Sequence, residues 1–227
     1  MKPSETRPCR LFLFDLDGTL IDSKDDITCA LNLVLARMGL PQLRESLVAD
    51  FVGEGVQKLI ERSLRASTGL EPERAMVHEG MALFRDEYEV HLLDRTRLFP
   101  HVREGLDRLA WAQFAVVSNK PERFSRRILE GLGIGNRFCI ILGGDSTPKR
   151  KPDPESLYAA MDYCRASASE TAMVGDSPVD IHAGKAAGVT TCGVLGGFRP
   201  KAELEAAGCD LIIHSLLELA IHFHEPR

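Results

Sequence analysis

Apolar residues along this chain fall into two textures. From Lys24 to Arg95 they recur at helical spacing. Ile27, Leu31, Val34, Leu35 and Met38 predict a helix from Lys24 to Met38, ended by Gly39 and Pro41. A second helix is predicted from Glu54 to Arg65, after the Gly53-Glu54-Gly55 turn. A third runs from Pro72 to His91, with Ala75, Met81, Phe84 and Tyr88 near its apolar face. No buried strand is expected in this stretch.

Elsewhere, short continuous apolar runs alternate with amphipathic ones. Leu11–Phe14, Phe114–Asn119, Phe138–Leu142, Thr171–Gly175, Thr190–Leu195 and Leu211–His214 read as strands. Runs this short, bounded by glycine or charge, suit parallel strands buried on both faces. Helices are predicted between them at Val102–Leu109, Pro121–Leu132, Pro154–Cys164 and Pro178–Ala187, with a last one from Ser215 to His224. Residues 1–9 are polar, carry two prolines and are expected to form a loose leader. The alternation predicts an α/β fold: a Rossmann-like, mostly parallel sheet with helices on both faces. Residues 1–22 and 96–227 would form this core, and residues 23–95 an all-helical cap inserted after the first strand.

Composition narrows the partners. Hydrophobic residues make up 44% and charged residues 27%, as in ordinary globular chains. A net charge of −5 argues against nucleic acid or an anionic membrane as partner. No apolar run approaches a membrane span, and the start lacks a signal-peptide core. The six cysteines (Cys9, Cys29, Cys139, Cys164, Cys192, Cys209) form no CxxC pair, and most sit in apolar segments. That pattern predicts a reducing, cytoplasmic setting.

The chemistry concentrates where strands end. Leu11–Phe14 runs straight into Asp15-Leu16-Asp17-Gly18. Two carboxylates at the tip of a buried strand call for a cation, and hard oxygen donors favour Mg²⁺. Gly18 permits a tight turn whose N–H groups are left to approach a phosphate; an Asp-rich turn alone would look the same. Ser118 and Asn119 end the second predicted strand, where hydroxyl and amide suit either a phosphoryl oxygen or the start of a helix. Lys151, fixed ahead of Pro152, suits a phosphate as a point charge, or else belongs to the solvated run Lys149-Arg150-Lys151. Asp176 closes the Thr171–Gly175 strand, and Asp180 falls in the next helix's first turn, where the helix dipole alone would favour it. Together these groups suit phosphoryl transfer to a carboxylate.

Taken in order, Asp15-Leu16-Asp17-Gly18-Thr19, Val117-Ser118-Asn119-Lys120, Lys151-Pro152 and Gly175-Asp176-Ser177-Pro178-Val179-Asp180 resemble the motifs of the haloacid dehalogenase superfamily. The resemblance covers essentially the whole chain. It implies Asp15 as the nucleophile that becomes an aspartyl-phosphate, and Asp17 as the acid that protonates the leaving group and then activates water. It further implies Mg²⁺ held by Asp15, the Asp17 backbone carbonyl and Asp176, with Asp180 behind them. Gly18, Ser118, Asn119 and Lys151 would hold the phosphate of a small phosphorylated metabolite. Leu20-Ile21-Asp22-Ser23, Val52-Gly53-Glu54-Gly55 and Leu98-Phe99-Pro100-His101-Val102 are similar to segments of phosphoglycolate phosphatases within that superfamily. The expected assembly is a monomer or a homodimer.

Rival readings fit less well. A dehalogenase would not need Asp17, and a phosphate-sensing module would lose Asp15 or Asp17. A phosphonatase would need a cap lysine, and Lys58 stands in undistinguished surroundings. A serine esterase on Gly175-Asp176-Ser177 explains neither Asp15 nor Lys151. A sugar-phosphate mutase shares the same core chemistry and stays open. Gly131-Leu132-Gly133-Ile134-Gly135 ends a helix, so it reads as a terminator. His222 and His224 have no acidic or cysteine partner in sequence and are expected at the surface.

Overall fold

The computed structural model describes residues 6–226. The chain divides into two compact units, residues 1–21 with 98–227, and residues 22–97. Where it crosses between them, Ile21–Asp22 and Arg97–Leu98 pair as a two-stranded ribbon.

The first unit is built on six parallel strands: β1 (Leu11–Phe14), β2 (Gln113–Val117), β3 (Ile140–Leu142), β4 (Thr171–Gly175), β5 (Thr190–Val194) and β6 (Leu211–Ile213). Their spatial order is β3-β2-β1-β4-β5-β6, with β1 at the centre. Phe14 aligns with Val116 on one side and Val174 on the other. Strand alternation sends Leu11 and Leu13 to one face and Phe12 and Phe14 to the other. Leu11 and Leu13 join a core with Ala115, Val117, Leu157, Met161 and Ala183. Phe12 packs edge-on against Phe223 at 5.2 Å, and Phe14 against Phe114 at 5.9 Å. Burial on both faces explains why β1 is an unbroken apolar run.

In the second unit, helices α1 (Lys24–Arg37), α2 (Glu45–Ala49), α3 (Val56–Thr68) and α4 (Arg74–Val90) surround a core that includes Leu31, Leu35, Ile60 and Phe84. Phe84 stacks on Tyr88 at 5.3 Å. Asp26, almost sealed from solvent, accepts hydrogen bonds from the Arg95 N–H, the Thr96 N–H (2.7 Å) and the Thr96 hydroxyl (2.7 Å). The carboxylate thereby ties the start of α1 to the returning chain. The second predicted helix starts two residues late, because Gly55 adopts φ 90° in front of it.

The first unit's helices are α5 (Val102–Arg108), α6 (Glu122–Gly131), α7 (Glu155–Cys164), α8 (Pro178–Ala187), α9 (Lys201–Ala207) and α10 (Leu219–His222). Two expectations need correction. The leader is not loose throughout: Arg7–Pro8 pairs in parallel with Phe223–His224, and Cys9 is buried beside them. Residues 1–5 lie outside the described residues. The last predicted helix is broken as well. A 3-10 turn at Leu216–Glu218 precedes the four-residue α10, and Phe223 then extends so that its ring can reach Phe12. His224 is exposed, whereas His222 is half-buried. Among the described residues no helix is long and apolar enough to cross a membrane.

Candidate active site

Parallel strands bring their carboxyl ends to one edge, and the strand order reverses direction between β1 and β4. Crevices at such switch points are where open α/β sheets hold ligands. Asp15 continues the ladder one residue past β1, its N–H donating to the Val174 carbonyl at 2.9 Å. Asp176 follows directly after β4, and Ser118 directly after β2.

The chain turns sharply after Asp15. Gly18 adopts φ 88°, and a Cβ there would run into the Asp176 carboxylate, so both the conformation and the space require glycine. One expectation is corrected at this turn. The Gly18 N–H is not left for a phosphate; it donates to the Ile21 carbonyl at 2.9 Å. The turn instead presents Thr19, whose hydroxyl donates to Asp176 Oδ1 at 3.2 Å. The other Asp176 oxygen accepts the Phe198 N–H at 2.7 Å.

Lys151 lies in the loop before α7 and is buried, while its neighbours Lys149 and Arg150 are exposed. It therefore stands apart from the solvated run it belongs to in sequence. Its ammonium is 3.0 Å from Asp15 Oδ1 and 2.6 Å from Asp180 Oδ1. Asn119 holds this loop, its side-chain amide donating to the Lys151 carbonyl at 2.9 Å. Asp180 is in the first turn of α8, and its second oxygen accepts both the Ser177 N–H (3.1 Å) and hydroxyl (2.7 Å). Ser118 is buried, and its hydroxyl oxygen accepts the Lys120 N–H at 3.3 Å.

Asp15, Asp176 and Asp180 each bring a carboxylate oxygen within 4.8 Å of the others. Burial, reinforced by Asp180, pushes the Asp15 carboxyl up to about 6 despite the nearby Lys151 ammonium. Asp176 is held well above the ordinary carboxylate range by burial and then by Asp180 and Asp15; the Phe198 and Thr19 donors offset this only in part. Burial works against charge on Lys151, yet Asp15 and Asp180 together hold its ammonium above the usual lysine value. A crowded set of buried anions with one ammonium is the environment that a further cation relieves.

Sequence reasoning missed Lys120. It is buried, and its ammonium lies 2.7 Å from Asp17 Oδ1, a partner 103 positions away. Its signal in the sequence was its place beside Ser118-Asn119 at the end of a strand. Thr19 stood inside the first motif without an assigned contact, and the Phe198 N–H is a backbone donor that leaves no mark in sequence. Counting Asp17 and Lys120, four carboxylates face two ammonium groups. Fully ionised, these six groups sum to a net charge of −2, and the carboxylates are the groups that offer oxygen atoms to a metal ion. That set fits a hard divalent cation such as Mg²⁺.

Comparison with known proteins agrees with this architecture. Residues 12–194 match the family of haloacid dehalogenase-like hydrolases. A protein of Nitrosospira multiformis named phosphoglycolate phosphatase is 35% identical, with 93% of this chain aligned to 94% of that one. One of the same name from Vibrio parahaemolyticus is 38% identical, over 92% of this chain and 94% of its own. The crystal structure of a predicted phosphoglycolate phosphatase from Haemophilus somnus superposes with a TM-score of 0.87 at 30% identity, covering 93% and 96% of the two chains. With the family match spanning most of the chain and relatives 35–38% identical along nearly all of it, this protein belongs to the haloacid dehalogenase-like hydrolases.

Proposed function

We propose that this chain hydrolyses a small phosphate monoester, 2-phosphoglycolate, by passing the phosphoryl group through Asp15. Phosphatase activity follows from the family and from relatives 35–38% identical along nearly the whole chain. The substrate rests on the name those relatives share. The observation that carries the mechanism is the convergence of Asp15, Asp176, Asp180 and Lys151 at the sheet's switch point.

In this reading an Asp15 carboxylate oxygen attacks phosphorus and the ester bond breaks. Asp17 gives its proton to the departing oxygen. Asp17 then takes a proton from water as the water oxygen attacks phosphorus, releasing inorganic phosphate and restoring Asp15. Lys120 holds the Asp17 carboxylate in one orientation between the two steps. Lys151 meets the phosphoryl charge and keeps Asp15 from swinging away, while Ser118 and Asn119 complete the cradle. Asp15, the Asp17 carbonyl and Asp176 would hold Mg²⁺, which when bound neutralises charge on the transferring group. Asp180, with both oxygens already engaged, anchors Lys151 from behind. The reading includes a cytoplasmic setting, in keeping with six unpaired cysteines.

Phosphate release measured across phosphoglycolate, sugar phosphates, amino-sugar phosphates and nucleotides, with and without Mg²⁺, tests this. The highest kcat/KM for phosphoglycolate, lost on chelation, is the expected result. Preference for another ester overturns the substrate, and no release from any ester overturns the hydrolytic reading.

A further inference from the structure

Away from these carboxylates, Cys139 and Cys164 lie with their sulfurs 3.5 Å apart. Cys139 is exposed just before β3, and Cys164 is buried as the last residue of α7. The start of β2 holds both. The Cys139 thiol reaches the Phe114 carbonyl at 3.0 Å, and the Gln113 amide donates to the Cys164 carbonyl at 3.3 Å. The Cys164 hydrogen bond pulls the Cys139 thiol down to about 6, while Cys164 itself is pushed up. An accessible acidic thiol beside a sheltered, less acidic one matches the division between a sulfur that meets an oxidant and one that resolves the product. Cys9 and Cys192 are buried, and burial pushes both thiols up. Neither member of the pair has a part in phosphoryl transfer.

We infer that Cys139 and Cys164 form a reversible disulfide when the protein meets a hydroperoxide. The Cys139 thiolate attacks the outer peroxide oxygen, breaking the O–O bond, and the expelled oxygen leaves as water or alcohol after taking up a proton. The resulting sulfenic acid is attacked by Cys164. The S–S bond forms, and the sulfenic oxygen leaves as water with the Cys164 proton. One peroxide is thereby reduced and two thiols oxidised. Side-chain rotation must close the 3.5 Å gap to the bonded separation of about 2.05 Å. The closed loop, residues 139–164, includes Lys151, so the bond restrains the unfolded chain around a segment the core depends on. It sits at the start of the strands, opposite the end that carries Asp15, and leaves turnover intact.

The test is oxidation of the full chain with hydrogen peroxide, followed by non-reducing peptide mapping and thermal melting. The expected result is an intact mass lower by about 2 Da, a Cys139–Cys164 cross-linked peptide, and reversal by dithiothreitol. The melting temperature rises by roughly 5–10 °C and kcat/KM stays within about twofold. Cys139→Ser abolishes both the link and the thermal gain, and Cys164→Ser leaves a sulfenic acid on Cys139 that a dimedone probe labels. Linkage through another cysteine overturns the inference, as does oxidation of Cys139 to the sulfinic acid with Cys164 untouched. Peptide mapping of the unmutated protein decides this even if a variant fails to fold.

Discussion

The Lys151 ammonium stands 2.6 Å from an Asp180 carboxylate oxygen, with both side chains almost completely sealed from solvent. Breaking such a pair strands a buried charge, at a cost of about 3–5 kcal/mol. Lys151→Met should therefore lower stability by about that amount and reduce kcat by more than ~100-fold, since the same ammonium faces Asp15. Chemical denaturation and steady-state kinetics read the two effects. Near-native stability together with near-native kcat would remove Lys151 from both roles.

The Lys120 ammonium meets the Asp17 carboxylate, and in the proposed mechanism it positions that group. Lys120→Met removes this contact, so kcat should fall by about 10–100-fold with KM changed much less. An equal loss carried entirely in KM would instead place Lys120 on the substrate.

In the proposed mechanism a cation competes with protons for this site. Burial raises Asp15 to about 6 and Asp176 well above the usual range, so protons compete for these two carboxylates as pH falls toward 5. Saturating Mg²⁺ should raise the melting temperature by roughly 5–10 °C at pH 8 and by little at pH 5. The same gain at both values would mean that the ion binds elsewhere.

Asp210 offers a pH test outside the site. Partial burial would raise its carboxyl, but the Thr191 N–H and hydroxyl, each at 2.8 Å, together with the Arg7 and Lys185 charges hold it below the ordinary value. A depressed folded value means stability present above the ordinary carboxylate range and lost as pH falls through the folded value. Because Asp210 is exposed, Asp210→Asn should cost less than ~1 kcal/mol at pH 7 and nothing in strong acid. Urea midpoints at the two extremes check it.

The strands were legible because β1, β2 and β4 are buried on both faces, which leaves continuous apolar runs in the sequence. α9 and α2 were not, since each buries a single side chain, Leu204 and Val48, and one position carries no period. The end of the chain misled for a related reason. Leu216, Leu219 and Phe223 keep helical spacing, but docking Phe223 against Phe12 requires extended backbone there. In the candidate site, Asp15, Asp176, Asp180 and Lys151 were visible as polar residues breaking apolar runs or bracketed by proline. Lys120 and the Phe198 N–H depend on contacts across the fold, and the use of the Gly18 N–H depends on how the turn closes.

Trapping the phosphoryl group on Asp15 tests the proposed mechanism at its first step. In Asp17→Asn the second step lacks its base, while an activated ester such as p-nitrophenyl phosphate needs little help to leave. The expected result is a burst of p-nitrophenol and a peptide containing Asp15 heavier by about 80 Da after acid quench, with Asp15→Asn giving neither. Continued turnover in Asp15→Asn, or a phosphate adduct on any other residue, would contradict it.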